Sequence, residues 1–561
     1  MAAETYTIGL DFGTLSGRGI LVRCSDGEIT AEAVKEYTHG VMTQVLPDGE
    51  TPLDKEWALE DPADYLEVLD TVIPALLKDT NVDPDQIIGI GIDFTSCTML
   101  PVDAQGVPLC MKQEYRKRRN AYAKLWKHHG ADRQAQKINE ILTEQGLETD
   151  VRFGGRCSSE LMFPKAMETY QEDPELYAAA DEFLEAGDWL TRLLTGGNKR
   201  SCSMAGYKLW WNRKDGYPSE GFFSAADKKL GRFIPEKIRG ELCPVGTSAG
   251  ELTAEWADRL GLRTGIAVAP AVIDSHAGAP GSGVASPSAM MLVLGTSSVL
   301  VAMSDRPFSG NGVLGGVDSA VVPGYFAYES GLACVGDLFD WYIRNMLPAA
   351  YVKAAEESSR DVYSVLNEKA ERLAPGQSGI LALDWWNGNK TPFVDAGLSG
   401  AIFGMTLETR PEEIYRALIE ATAFATRTIA ELYKEHGVQA EEIVASGGIA
   451  RKNAFLMQIY ADILGMRIKV AGTAQTAALG AAIYAALAAG KENGGYDSYE
   501  KAVEHMVPDF IRVYEPDAVR QGEYNKLYKL FQNYSKILGS EYRDMQHELR
   551  RAVTGSDKSD V

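Results

Sequence analysis

Along the chain, apolar runs of strand length alternate with longer stretches whose apolar positions recur at helical spacing. "TYTIGLDFG" and "RGILVRCSDGEI" each predict a strand, and a glycine turn joins them into a hairpin. "IIGIGIDFTSCTMLPVDAQGVPL" predicts a strand, a short irregular stretch, a second strand and an Asp-Ala-Gln-Gly turn. Helical spacing is read over "NAYAKLWKHHG", "INEILTEQGL" and "DEFLEAGDWLTRLLTGG", the last with a Gly-Gly stop. "IAVAPAVIDSHAGAPGSG" reads as an apolar strand running into a small-residue stretch.

The opening design then returns. "AMMLVLGTSSVLVAMS" is again apolar strand, Gly-Thr, Ser, apolar strand. Two such hairpins far apart in one chain predict two related α/β domains facing each other across a cleft. The later pattern agrees. "PEEIYRALIEATAFATRTIAELYKEHG" is a long helix with Pro411 near its start and Gly437 at its end. "EEIVASGGIARKNAFLMQIYADILGMRIKV" reads strand, glycine loop, helix, strand, and "TAALGAAIYAALAAG" is a helix of small residues. From Glu523 onward, Tyr524, Leu527, Tyr528, Phe531, Tyr534 and Leu538 share one helix face, a stripe that suits the monomer body or a homodimer equally. The final "GSDKSDV" is expected to be disordered. The expected division is a first domain over 1–275, a second over 276–510 and a helical tail over 511–561.

At 561 residues the chain can bury large cores without staples. Its 56 Lys and Arg against 78 Asp and Glu give a formal charge of −22, which argues against nucleic acid as a partner. Seven scattered cysteines without a C-x-x-C pair argue against a disulfide framework or a zinc site. With no leader pattern and no apolar run of membrane length, a cytosolic enzyme or binding protein is expected, with no membrane partner.

The Gly-Thr turns are candidate phosphate cradles. Asp11 beside the first would repel phosphate but suits magnesium, which reaches enzymes with ATP and takes carboxylate and phosphate oxygens; taken alone it would be read as a cap of its own turn, a reading the second hairpin weakens. Gly447 and Gly448, between a strand and a helix, leave room for a nucleotide to approach backbone, with Asn453 placed to bond its base or ribose. No Walker loop or protein-kinase motif set is present. Asp274 follows an apolar strand, where it could take a hydroxyl proton. Asp274, Ser275 and His276 on an extended chain would point in alternating directions, which excludes a triad and leaves His276 a structural role.

Together these stretches resemble the FGGY carbohydrate kinases, a family with the actin-like, ribonuclease H-like fold. The resemblance runs from "GLDFGTLSGRG" through "GDWLTRLLTG", "VIDSHAGAPGSG", "VLGTSS" and "GLSGAIFGMTLETRPEEIYRALIEATAFATRTI" to "GGIARKNAFLMQIYADILG". It implies ATP and Mg²⁺ as cofactors, with Asp274 the catalytic base and Asp11 and Asp274 beside the metal. Gly13, Thr14 and Arg18 resemble the first phosphate loop; Gly295, Thr296 and Ser297 the second; Gly447, Gly448 and Asn453 the adenosine loop. "LWKHH", "SMAGYKLWWN" and "LDWWNGNKTP" point within the family to a ketopentose acceptor, L-ribulose first. Where glycerol kinases carry Arg-Glu and xylulokinases Met-His, this chain has Ser96 and Cys97. Ser96, Trp126, Lys208, Asp274 and Glu329 are the expected sugar contacts. Another sugar or polyol (xylulose, ribitol, D-ribulose), or an actin-like ATPase without a sugar, remain the alternatives.

Overall fold

The structure, a computed structural model, describes residues 4–78, 80–144, 156–309 and 312–554. The first hairpin forms as the apolar runs predict: β1 (Tyr6–Phe12) pairs antiparallel with β2 (Ser16–Arg23), and β2 with β3 (Ile29–Glu36). Helix α1 (Pro62–Lys78) leads back to β4 (Ile87–Phe94), parallel to β1. The short β4 relatives Ala267–Val268 and Val272–Ile273 both lie parallel to it, and Gly250–Glu251 forms the edge.

The second sheet repeats this plan. β5 (Ala289–Leu294) and β6 (Ser298–Ser304) form the hairpin, followed by β7 (Leu314–Asp318) and β8 (Phe326–Leu332). β9 (Glu442–Ser446) and β10 (Arg467–Val470) then add in parallel, and β11 (Arg512–Tyr514) closes the edge antiparallel. The segment from 511 onward therefore opens with a strand rather than a helix. Its helix Ala518–Lys536 buries Tyr524, Tyr528 and Phe531 against the second core, while Tyr534 stays half-exposed. "GSDKSDV" lies outside the described residues.

Between the sheets run two helices of small residues. α2 (Asp274–Ser282) and α3 (Thr476–Ala489) pack on each other, and α3 also lies on β1 and β4. Small residues permit this approach: a Cβ on Gly480 would meet the Ala277 carbonyl oxygen at 1.7 Å, and one on Gly9 the Ala478 oxygen at 1.9 Å. α3 lies late in the chain yet belongs to the first core.

A third apolar cluster, not foreseen, gathers residues within 42–59, 97–122, 135–141, 157–183 and 209–238 around a small four-stranded sheet. Three sequence readings change there or beside it. "NAYAKLWKHHG" is not a helix but a 3-10 turn and a two-residue strand, because Lys124 and His128 turn inward to Glu168, at 2.6 and 2.8 Å. "DEFLEAGDWLTRLLTGG" divides into a strand, Glu182–Glu185, and a helix, Ala186–Thr195. Asp274 begins a helix instead of continuing an extended stretch, so Asp274 and His276 are separated by helical rotation. All seven cysteines are free and buried, and among the described residues no helix is long and apolar enough to cross a membrane.

Candidate active site

The site forms where the first sheet's central strands end. In β1, Asp11 lies opposite Arg18 of β2 on one side and Asp93 of β4 on the other. Arg18 Nε stands 3.4 Å from Asp11 Oδ2. Asp274 starts α2 directly after Val272–Ile273, the pair that lies beside Asp93 and Phe94. Three acids and one guanidinium thus meet at adjoining strand ends.

Their electrostatics follow from crowding in a poorly solvated place. Burial pushes the Asp274 carboxyl up to about 7, Asp11 adds to it, and Lys208 opposes. Burial, outweighing Arg18, also raises Asp11. Asp93 is fully buried, and neither of its oxygens meets an N–H or O–H donor. Burial, Asp11 and Asp274 together push it well above the carboxylate range. A cation brought against Asp11 and Asp274 would relieve this crowding.

The phosphate loops have the tight geometry their glycines suggest. Gly13 N–H donates to the Ser16 carbonyl and Gly295 N–H to the Ser297 carbonyl, both at 3.0 Å. Val335 N–H reaches Thr296 O at 2.8 Å, tying the second loop to the next helix. Gly447 has φ +92° and a Cβ there would stand 2.3 Å from the Leu294 oxygen, so only glycine fits. Gly448 faces open space and begins a short helix, leaving backbone accessible. Asn453 has a structural use as well: its Oδ1 accepts the Leu456 N–H at 3.0 Å and caps Ala454–Leu464.

On the opposite side, Glu329 of β8 accepts from His276 Nε2 at 2.9 Å, and His276 Nδ1 lies 3.3 Å from Ser203 Oγ. Burial would raise Glu329, but the His276 contact, with Lys208 and Lys390, outweighs it and holds the carboxyl down at about 2. Lys208, near the end of helix Cys202–Leu209, acts on both Asp274 and Glu329. Ser96, just past β4, donates to Glu185 Oε2 at 3.3 Å. Trp126 is partly exposed, and its indole N–H donates to Thr14 Oγ1 at 3.1 Å, in the first phosphate loop.

The donor set fits a magnesium–nucleotide complex. Among the described residues no three His, Cys, Asp or Glu side chains could enclose an ion alone, and magnesium needs only one or two carboxylates when phosphates and water supply the rest.

The N-terminal domain model of the FGGY family of carbohydrate kinases matches residues 6–281, and its C-terminal domain model residues 290–489. The chain belongs to this family. It is 47% identical over 532 residues to a ribulokinase of Bacillus licheniformis, covering 95% of this chain and 96% of that one. A ribulokinase of Halalkalibacterium halodurans is 44% identical, with 97% of each covered. Among solved structures, the xylulose kinase of Rhodospirillum rubrum superposes with a TM-score of 0.79 at 22% identity, over 96% of this chain and all of that one. The Plasmodium falciparum glycerol kinase with ADP gives 0.73 at 18%, over 94% and 98%. These superpositions establish the two-domain actin-like fold.

Sequence reading missed Asp93 and Glu185. A signal for Asp93 was present: "IGLDF" of β1 and "IGIDF" of β4 are nearly the same string, and pair Gly9 with Gly91, Asp11 with Asp93 and Phe12 with Phe94.

Proposed function

We propose that the protein transfers the γ-phosphoryl group of ATP to ribulose, with L-ribulose the acceptor and L-ribulose 5-phosphate the product, in the breakdown of L-arabinose. The observation that carries this reading is Asp274 itself: a half-buried carboxyl at the start of α2, next to the strand ends that carry Asp11 and Asp93, raised to about 7 and facing the charges of Lys208 and Glu329. A base poised near neutral pH suits removal of a hydroxyl proton. Full-length similarity to relatives named ribulokinase supports the choice of acceptor.

In this reading Ser96, Lys208 and Glu329 hold the sugar. Asp274 takes the hydroxyl proton as the oxygen bonds to phosphorus, and the bond from that phosphorus to the ADP oxygen breaks. The loops at Gly13–Thr14 and Gly295–Ser297, through backbone N–H groups other than the two glycine N–H groups that close the turns, and Arg18 receive the charge that spreads over the transferred group. Asp11, with Asp274, would hold magnesium, which when bound neutralises phosphate charge. Gly447 and Gly448 offer clearance for the nucleoside. The seven free, buried cysteines support a reducing, cytoplasmic setting.

The test is ADP release with Mg-ATP against L-ribulose, D-ribulose, D-xylulose, L-xylulose, glycerol and no sugar. Strong stimulation by L-ribulose is expected. Stimulation by another polyol alone refutes the acceptor, and release indifferent to every sugar refutes sugar phosphorylation.

A further inference from the structure

Glu185 ends the strand Glu182–Glu185, immediately before the helix that begins at Ala186. Its side chain is buried, 2% exposed, beneath the half-buried Ser96. Oε2 accepts the Ser96 hydroxyl proton at 3.3 Å. Oε1 is buried without a full hydrogen-bond partner; the nearby Cys97 thiol is only a weak donor. Buried carboxylate oxygens are ordinarily satisfied, so this one requires an account.

The surroundings supply it. Lys165, fully buried, donates to the carbonyls of Cys97 at 2.7 Å and Leu125 at 2.8 Å, which fixes from below the loop that carries Ser96. Burial raises the Glu185 carboxyl, and Lys165, Lys208 and Arg200 oppose it. Lys208 in turn faces Asp274 and Glu329. A serine has one proton to give. With that proton committed to Glu185, the Ser96 oxygen can only accept toward the cleft.

We infer that Glu185 is a positioning residue for the sugar: it turns Ser96 into a fixed hydrogen-bond acceptor facing the cleft. This deepens, and rests on, the sugar-kinase reading above. The bound sugar hydroxyl that meets Ser96 must then be a donor, so the pair selects for a hydroxyl over a keto or deoxy carbon at that place.

The experiment is a double-mutant cycle on the full chain, with Glu185→Gln, Ser96→Ala and the pair, each assayed for ADP release with L-ribulose and ATP varied separately. Glu185→Gln keeps the shape and removes the charge. It should raise the L-ribulose KM about tenfold or more while the ATP KM stays within about twofold, and the pair should lose clearly less than the product of the single effects. Should the Gln variant fail to fold, Glu185→Asp, which keeps charge but withdraws the carboxylate from Ser96, carries the same expectation for the sugar KM. An unchanged sugar KM, effects that simply multiply, or an ATP KM rising in step would overturn the role. An unmodified chain that ignores every sugar overturns the kinase reading itself and this role with it; an active chain with an indifferent Glu185→Gln overturns this role alone.

Discussion

Asp274 yields the sharpest quantitative expectation. Its carboxyl stands at about 7 against an ordinary 3.8, with burial the main cause and Asp11 the second. At pH 6 only about one-tenth of the free protein would hold the base ionised, and at pH 8 about nine-tenths. The pH dependence of kcat/KM reports groups of the free enzyme. Measured with both substrates well below saturation, kcat/KM should fall about tenfold per pH unit below 7 and level off above it. With an unperturbed aspartate the fall would begin only below about pH 4. Asp274→Asn removes the acceptor while keeping the volume, and should lower kcat by about 10² to 10⁴ at pH 8. It should leave binding of metal-free ATP intact by calorimetry and abolish the acidic limb of the profile. A flat profile from pH 5.5 to 8, or an Asn variant within tenfold of the unmodified chain, would refute the argument that this carboxyl is the base.

Gly480→Ala would drive a methyl against the Ala277 oxygen, 1.7 Å from the ideal Cβ; the overpacking should cost about 1–3 kcal/mol in thermal melts and lower kcat, because α2 carries Asp274. Equal melting temperatures would show that α2 and α3 separate freely. Asp384 is buried with Oδ1 unpartnered, and burial pushes its carboxyl up to about 7. The folded state then binds its proton more tightly than the unfolded chain, so its contribution to stability declines as pH rises from about 4 to 7. Asp384→Asn removes that decline and should gain stability at pH 8, by up to about 4 kcal/mol; denaturant midpoints at pH 5 and 8 that differ equally in both proteins would contradict this. Trp126→Phe removes the hydrogen bond to Thr14 and should raise the ATP KM a few-fold, as about 0.5–1.5 kcal/mol for a neutral bond implies; a change confined to the sugar KM would return Trp126 to the sugar.

The two hairpins and the strand–glycine–helix unit at 442–464 were legible because their apolar periods and turn residues act locally. The long helix Pro411–Glu435 was legible for the same reason, bounded by a proline and a glycine. The third cluster was not. Its interior holds Lys124, Lys165, Glu168 and His128, whose polarity mimics a surface until their partners, up to 70 residues away, are known. Asp274 and Glu329 stood out as residues, but the His276 contact that holds Glu329 joins positions 53 apart. Asp93 repeats the pattern of β1, and its meaning depends on the parallel register that sets it beside Asp11. Asn453 also serves the fold in a way the sequence pattern does not announce: the helix behind the glycine loop takes its side chain as a cap.

The lateness of α3 bears on how the chain is made. β1 and β4 are complete once residue 94 has been synthesised, yet the helix that covers them spans 476–489, and Tyr499, Ala502, Val503 and Met506 join the same core. At about 5–20 residues per second, the ribosome needs some 20–80 s to pass from one to the other. Throughout that interval one face of the first sheet waits uncovered, a template for chaperones or for neighbouring nascent chains. A fragment ended before residue 476 would keep that exposure permanently, whereas a separately supplied C-terminal half could cap it.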